Sequence, residues 1–471
     1  MPATFSVGGE VAVDSELPPR PAGITPTVPS TSTVATRPLT SRSVLQVGSF
    51  SRNTFLRDIG DTTLEQLIME AHRANTDVRV AEARLVGARA SRRLASLDLV
   101  PTVTGIASST RQQQSMALVP GLRSQLPQQE LWDVGFDASW EVDIFGRVAR
   151  NVRARQALVA SAEHSLDDVN ISVTAEVARS YFELRGAQQQ LQVARRSAEN
   201  QRRIVKLTEE RLAAGRGTAF DTERAKSVLY LTLASTPALE SQIALQRQRL
   251  GVLLGRAPGA LPPALLESAE LPLLPDTLYV GSPEQLMRRR PDVMAAERRL
   301  AAQTLLVGAA RAEYLPRLTL GARAGYVATS FDSIGRTGTS RFIAGPLLTL
   351  PLFDVGRVHE RVEVAQAYQD EAEADRRATV VRALSETDAA LTTYDRAHAR
   401  LAILADAVAS SARASELAQQ RFEAGLTDLL QVLDAQRTLL EAENQLVMGH
   451  TTAATALVAV YKAVGGTWPV R

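Results

Sequence analysis

The chain repeats itself at long range. Asp77-Val78, Glu82, Arg84-Leu85 and Pro101 return as Asp292-Val293, Glu297, Arg299-Leu300 and Pro316, each displaced by 215 positions. After a short slip the displacement becomes 210, and it holds from Gly146-Arg147 against Gly356-Arg357 to Arg211, Ala214 and Gly215 against Arg421, Ala424 and Gly425. Solenoid repeats have periods of about 20–50 residues, so a period this long reads as one subdomain duplicated and fused. The expected organisation is an extended or disordered lead-in over residues 1–54, a first repeat over 55–270 and a second over 271–471. Any function assigned to the chain has to explain this pseudo-symmetry.

Within each repeat, helical and two-residue periodicities alternate. Helix starts of the capping-box type are expected at Thr63-Leu64-Glu65-Gln66 and at Ser282-Pro283-Glu284-Gln285. Each helix is expected to run to a proline, at Leu99-Val100-Pro101 and at Tyr314-Leu315-Pro316, where proline breaks the ladder and extends its predecessor. Beyond Pro316, Leu318, Leu320, Ala322, Ala324, Tyr326 and Ala328 alternate with Thr319, Gly321, Arg323 and Gly325. In the first repeat Val134, Phe136, Ala138, Trp140, Val142 and Ile144 alternate with Asp133, Gly135, Asp137, Ser139, Glu141 and Asp143. A strand face carrying that many carboxylates faces water, so the opposite face meets a core or lipid.

Two β-hairpins follow, over about 101–145 and 316–355, with polar loops near Gln112 to Gln129 and Thr329 to Ser340. Strands of about ten residues, tilted, match the thickness of a hydrocarbon layer. The rest of the chain is long amphipathic helix and offers nothing else to cover those apolar faces. No segment approaches the roughly 18 apolar residues of a membrane-spanning helix, so a membrane crossing here has to be made by strands. Four strands cannot close a barrel, and an open sheet edge in lipid leaves backbone groups unsatisfied. The barrel is therefore expected to be shared between subunits.

From Arg147 to Ala214, and again from Arg357 to Ala424, there is no proline and almost no glycine. Helices of that length reach ~100 Å at ~1.5 Å per residue. A 3/4 spacing runs through Leu191, Ala194, Ala198, Val205, Thr208 and Leu212, and through Leu401, Leu404, Val408, Ser411, Ser415, Ala418 and Phe422. Both helices end in matched elements, Arg211-Leu-Ala-Ala-Gly215 and Arg421-Phe-Glu-Ala-Gly425, whose glycines read as left-handed stops before a further helix of roughly 35 residues. These are helical hairpin tips, and just past them lie Asp221 and Asp434.

Composition narrows the function. The formal charge is +2, the basic residues are almost all arginine, and acidic residues balance them along the helices, so no stripe for nucleic acid emerges. There is no cysteine, which excludes disulfides, thiolate metal sites and a cysteine nucleophile, and excludes a lipid-bearing cysteine on the chain as written. The lead-in has no basic start followed by an apolar core, so no secretory signal is read there. His72, His164, His359, His398 and His450 are scattered without ligand spacing, and no cofactor or catalytic group is expected.

Several stretches resemble the TolC-like outer-membrane efflux factors, particularly the OprM-type branch. They are Thr63-Leu-Glu-Gln-Leu-Ile68, Arg288-Arg-Arg-Pro-Asp-Val293, Trp140-Glu-Val-Asp-Ile-Phe-Gly-Arg147, Gly345-Pro-Leu-Leu-Thr-Leu-Pro-Leu-Phe-Asp-Val-Gly-Arg357 and Ala424-Gly-Leu-Thr-Asp-Leu-Leu-Gln-Val-Leu-Asp-Ala-Gln-Arg437. They occur in family order from about Phe55 to Trp468. The resemblance implies a mainly α fold with a membrane β-barrel: a homotrimer whose twelve strands close a barrel in the outer membrane, continuous with a twelve-helix periplasmic tunnel. It further implies docking to a periplasmic adaptor and an inner-membrane pump, contact with outer-membrane lipid, and passive conduction of drugs or other small solutes.

The resemblance also carries site residues. Asp221 and Asp434 match aspartates lining a constriction at the tips, with Thr427 and Gln431 beside them. Gln431 stands where some relatives have a second aspartate, which weakens a doubled acidic ring. Arg211, Gly215, Arg421 and Gly425 mark the tips that would meet the adaptor or pump. Members of this branch usually carry a signal peptide and a lipidated cysteine, and this chain shows neither. Two alternatives stand beside the channel. A non-membrane helical coiled-coil scaffold accounts for the helices and leaves the strands unexplained. For a metal-ion-specific efflux channel, the six methionines form no soft-metal track.

Overall fold

The structure is a computed structural model, and it describes residues 45–47 in secondary structure together with 59–113, 115, 127–257, 260–272, 274–275, 278–280 and 288–466. Strand β1 (Leu45–Val47) pairs in parallel with β4 (Leu278–Val280), Leu45 opposite Leu278. Part of the lead-in expected to be extended or disordered is therefore a sheet strand, held by partners more than 200 residues away that local patterning cannot show. Helices α1 (Thr62–Ala74) and α2 (Thr76–Leu97) precede the first hairpin, β2 (Thr102–Gln112) and β3 (Gln129–Val142). The helical hairpin α3 (Arg147–Ala213) and α4 (Ala219–Leu253) follows. The second half supplies α5 (Pro291–Arg311), β5 (Arg317–Ala328), β6 (Ser340–Thr349), α6 (Val355–Glu423) and α7 (Leu429–Ala463).

Two expectations about the first helix need correction. Its cap is Asp61, not Thr63: the Asp61 carboxylate accepts from the backbone of Thr63 (2.9 Å) and Leu64 (3.1 Å). The helix also does not run on to Pro101. Asn75 leaves helical geometry (ψ 135°), closes α1 by donating its N–H to Ala71, and caps α2 by accepting from Asp77 (2.8 Å) and Val78 (3.3 Å). A short polar side chain that competes for backbone donors in this way ends one helix and starts the next. The expected start at Ser282 to Gln285 lies outside the described residues. The helix described there begins at Pro291, with proline at its first position and Asp292 in its first turn.

The chain folds as two compact units, and each draws on both sequence halves. One comprises Ala81–Leu166 and Asp292–Thr379. Here the two hairpins form one antiparallel sheet in the order β2-β3-β5-β6, with Trp140 opposite Leu320 and Gly135 opposite Gly325. The alternation read from the sequence becomes two faces. Val103, Phe136, Tyr326, Phe342 and Leu348 stand bare on one of them, Phe136 64% exposed and Phe342 75%. In the same unit helices pack through small residues such as Ala154 and Ala302, both fully buried.

The other unit comprises Met1–Val80, Asp167–Pro291 and Val380–Arg471. Its core holds Leu64, Tyr181, Phe182, Leu184, Leu250, Tyr394, Leu457 and Tyr461. Tyr181 donates to Asp61 Oδ2 (2.6 Å), and burial pushes its pKa up to about 12. Arg185 is 2% exposed, and its guanidinium donates to Gln188 Oε1 (3.0 Å) and to the carbonyls of Glu267 (2.7 Å) and Ala264 (2.9 Å).

Within this unit the two halves repeat the same joint. Gly255 (φ +62°) and Gly465 (φ +92°) end α4 and α7 at equivalent positions. The segment before each short helix closes on those ends: Asn75 Nδ2 donates to Leu253 O (3.0 Å), and Arg290 Nη1 donates to Ala463 O (3.0 Å). Asn75 and Arg290 are related by the displacement of 215, and Leu253 and Ala463 by that of 210. One joint is thus built twice, with different chemistry.

Two half-buried histidines in this unit have depressed pKa values. His72 Nε2 lies 2.6 Å from Thr174 Oγ1, whose proton goes to Asn170 O (2.8 Å). The imidazole Nε2–H is therefore the donor. Burial holds His72 and His450 below the ordinary value of 6.5, with His398 adding to the shift at His450. The unfolded chain therefore binds more protons than the native one as pH falls through 6.5. The contribution is fully present above 6.5 and is lost as pH falls from there through the depressed native values. Thermal unfolding in detergent at about pH 7.5 and about pH 5.5 tests this. We expect the wild type to lose more stability on acidification than a His72→Gln, His450→Gln variant, and equal losses would contradict the assignment.

Candidate gate at the helical tips

The tips are built by the same local rule in both halves. At the end of α3, Gly215 (φ +69°) donates its N–H to Leu212 O (3.0 Å) while Arg216 N–H reaches Arg211 O (2.9 Å). At the end of α6, Gly425 (φ +74°) donates to Phe422 O (3.0 Å) and Leu426 to Arg421 O (2.8 Å). This double closure needs a left-handed residue at the glycine position. The next helix is then capped by Thr218, which accepts from Asp221 N–H (3.2 Å), or by Asp428, which accepts from Gln431 N–H (3.2 Å). Thr218 and Asp428 are equivalent by the displacement of 210, and the sequence reading missed both. A capping residue three positions ahead of Asp221 and of Gln431 was the available signal.

Behind the tips lies a shared apolar plug. Ala198, Ile204 and Val205 of α3, Ala225 and Leu229 of α4, Phe422 of α6, and Leu429, Val432 and Leu433 of α7 bury one another. Arg211 belongs to this packing. Its guanidinium carbon sits 4.0 Å from the centre of the Phe422 ring, and Nη2 donates to Phe422 O (3.0 Å). A cation over an aromatic face together with a charged hydrogen bond clips α3 to α6. Arg211 is thus engaged inside the chain, whereas its counterpart Arg421 is exposed. The 3/4 seam of α3 is buried from Leu191 to Thr208, but Leu212, in the last turn, is 38% exposed.

The acidic candidates behave differently from each other. Asp221 is half-buried, and its Oδ2 accepts from the Thr218 hydroxyl (2.6 Å), so it serves the cap of α4. Asp434 projects from α7 with 62% of its side chain exposed, and its carboxylate pairs with Arg437 one turn on (3.1 Å). Gln431 accepts from the Thr427 hydroxyl. In register, Asp221 aligns with Gln431 and Asp434 with Arg224, so the two halves do not double the acidic positions. Among the described residues no cluster of His, Asp and Glu could hold a metal.

A sheet with one bare apolar face, and helices several times longer than the ~10–14 residues usual in globular proteins, are the elements of a membrane channel built from strands and long helices. Among the described residues no helix is long and apolar enough to cross a membrane. The sequence profile of the outer membrane efflux proteins matches residues 67–256 and 282–466, and the chain belongs to that family. The chain is 31% identical over 413 residues to the outer membrane protein OprJ of Pseudomonas aeruginosa, covering 87% of this chain and 85% of that one. It is 30% identical over 416 residues to the toluene efflux pump outer membrane protein TtgF of Pseudomonas putida, covering 87% and 84%. The outer-membrane channel OprN superposes with a TM-score of 0.84 at 34% identity, covering 93% of this chain and 98% of that one. The protein is an outer-membrane efflux channel, and the relatives it matches are channels and not enzymes.

Proposed function

We propose that three copies of this chain close a twelve-stranded barrel in the outer membrane, continuous with a twelve-helix tunnel that receives solutes from a periplasmic adaptor and an inner-membrane pump. The observation that carries this reading is the sheet. It ends in two edges, β2 and β6, that pair with no further strand among the described residues, and it bears an apolar face that none of the described elements covers. Lipid tolerates neither an open edge nor polar backbone left unpaired, so neighbouring copies supply the missing pairing. The two sequence halves, 55–270 and 271–471, act as duplicated repeats that each contribute a hairpin to the wall and a helical hairpin to the tunnel. The toluene named for one relative points to solvents or other small organic solutes, drugs among them, as cargo. Selection among them belongs to the pump, and the channel conducts passively without cofactor or catalysis.

Within this reading the tips are the gate. Asp434 is its exposed carboxylate, Thr427 and Gln431 are polar neighbours, and Asp221 plays a capping part. Gly215, Arg421 and Gly425 present the turn that meets the adaptor or pump, while Arg211 holds the tip together. Three copies of Asp434 around a narrow bore would attract divalent cations. Bilayer recordings of Asp434→Asn channels are expected to show weaker block by magnesium or calcium at the periplasmic side. Wild-type block in that variant would remove Asp434 from the constriction.

A further inference from the structure

We propose that a ladder of arginine–carboxylate pairs on the polar face of the sheet sets the charge selectivity of the barrel bore, with Arg323 and Arg341 as the determining residues. The proposal rests on the reading above, in which this face lines the bore. Asp133, Asp137 and Glu141 of β3 recur every four residues and so share one face of the strand. Each meets an arginine. Arg341 of β6 lies 2.5 Å from Asp133, Arg323 of β5 lies 2.8 Å from Asp137, and Arg317 lies 3.6 Å from Glu141. Glu141 also takes a two-pronged contact from Arg147 at the start of α3, through Nε (3.0 Å) and Nη2 (2.7 Å). Three carboxylates on this face are thus answered by three strand arginines, with Arg147 closing the row.

The register shows that the pairing is built and is not a chance meeting of surface charges. Asp137 and Arg323 stand directly opposite each other. Arg341 stands opposite Gly325, which in turn stands opposite Gly135. Arg341 therefore crosses a whole strand to reach Asp133, along a lane where two successive strands carry no side chain. A side chain at either glycine would also meet backbone, since a Cβ on Gly325 would lie 2.6 Å from Gly135 Cα. Asp133, Asp137 and Glu141 are all three-quarters or more buried in the chain. Oδ1 of Asp137 and Nε of Arg341 are buried without a hydrogen-bond partner. These groups are committed to their ion pairs, and Asp137 depends on Arg323 for its charge balance.

The functional consequence follows from electrostatics. A bore wall of unpaired carboxylates concentrates cations and excludes anionic solutes, whereas a paired wall has a weak field beyond a few ångströms. A conduit for organic solutes of either charge needs the second kind. The ladder keeps the bore wide to cargo charge while leaving it polar and wet.

The test is the potassium-to-chloride permeability ratio of the full-length channel, from reversal potentials in planar bilayers under a potassium chloride gradient at low ionic strength. Arg323→Gln and Arg341→Gln are expected to raise the ratio several-fold over wild type, and Asp137→Asn to lower it. The exchanged pair Asp137→Arg with Arg323→Asp is expected to return it to the wild-type value. Arg323 is 54% exposed, so its replacement should leave the fold intact even if Arg341→Gln fails to insert. Channels of Arg323→Gln with normal conductance and an unchanged ratio would overturn the proposal, because the pairs would then only brace the sheet. A wild-type protein that conducts nothing would instead remove the channel reading on which the proposal stands.

Discussion

Replacing Gly325 with valine is expected to abolish assembly of the barrel, with no folded oligomer recovered from the outer membrane. Gly325 and Gly135 face each other across β5 and β3. A Cβ at Gly325 would meet Val134 O and lie 2.6 Å from Gly135 Cα and 3.0 Å from the Val134 carbonyl carbon. The obstacles are backbone atoms, so no rotamer change relieves the clash, and the two strands must separate or lose register. Ordinary overpacking of a core costs ~1–3 kcal/mol because side chains can shift, and here the cost should exceed that range. Gly345 in β6 is the control, since a Cβ there meets nothing within 4 Å. Gly345→Val should give a heat-modifiable band on unheated gels like that of the wild type, and Gly325→Val should give none. Equal assembly by the two variants would contradict the close approach of β3 and β5.

The second large effect concerns Arg290. This residue is 7% exposed, and its guanidinium donates to Ala463 O (3.0 Å) and Ala383 O (3.4 Å) and pairs with Glu386 (2.9 Å). Removing one partner of a buried charged network costs ~3–5 kcal/mol. Glu386 is half-exposed, so water screens its share and the lower end of that range applies. The equivalent position in the first half is Asn75, a neutral residue making the same closure on Leu253 O. Asn75→Ala removes a cap and one side-chain hydrogen bond, worth about 1–2 kcal/mol. Arg290→Ala should therefore lower the thermal midpoint of the detergent-extracted protein clearly more than Asn75→Ala does. Arg290→Lys should recover only part of the loss, because an ammonium cannot reproduce the guanidinium fork. A larger effect at Asn75 would show that the two joints are not weighted as described.

Much of this architecture could be read from residues that act locally. Proline at 101 and 316, the two-residue alternation of β3 and β5, and the glycines at 215 and 425 each impose their geometry whatever surrounds them. What escaped notice depends on distant partners or on a choice between adjacent caps. The strand at Leu45 exists because Leu278 lies beside it. The break at Asn75 arises because an asparagine that would be tolerated in a helix instead caps the next one and binds Leu253. Asp61 outcompetes Thr63 as a cap while also receiving Tyr181. At the tips, the pattern of Arg211 repeated at Arg421 suggested two equal docking residues. In the fold, Phe422 at the position of Leu212 gives Arg211 an aromatic face that Arg421 lacks. The turns recur in the two halves while the side chains around them differ.

Particle mass decides whether the strands of one chain are part of a barrel completed by its neighbours. The protein should be expressed behind a functional signal peptide, recovered from the outer membrane, extracted in detergent, and weighed with the detergent contribution subtracted. A detergent-dependent particle of three times the 50.9 kDa chain is expected. A monomer or dimer that stays in solution without detergent would contradict it, since the apolar face bearing Phe136 and Phe342 would then have to be covered within that particle.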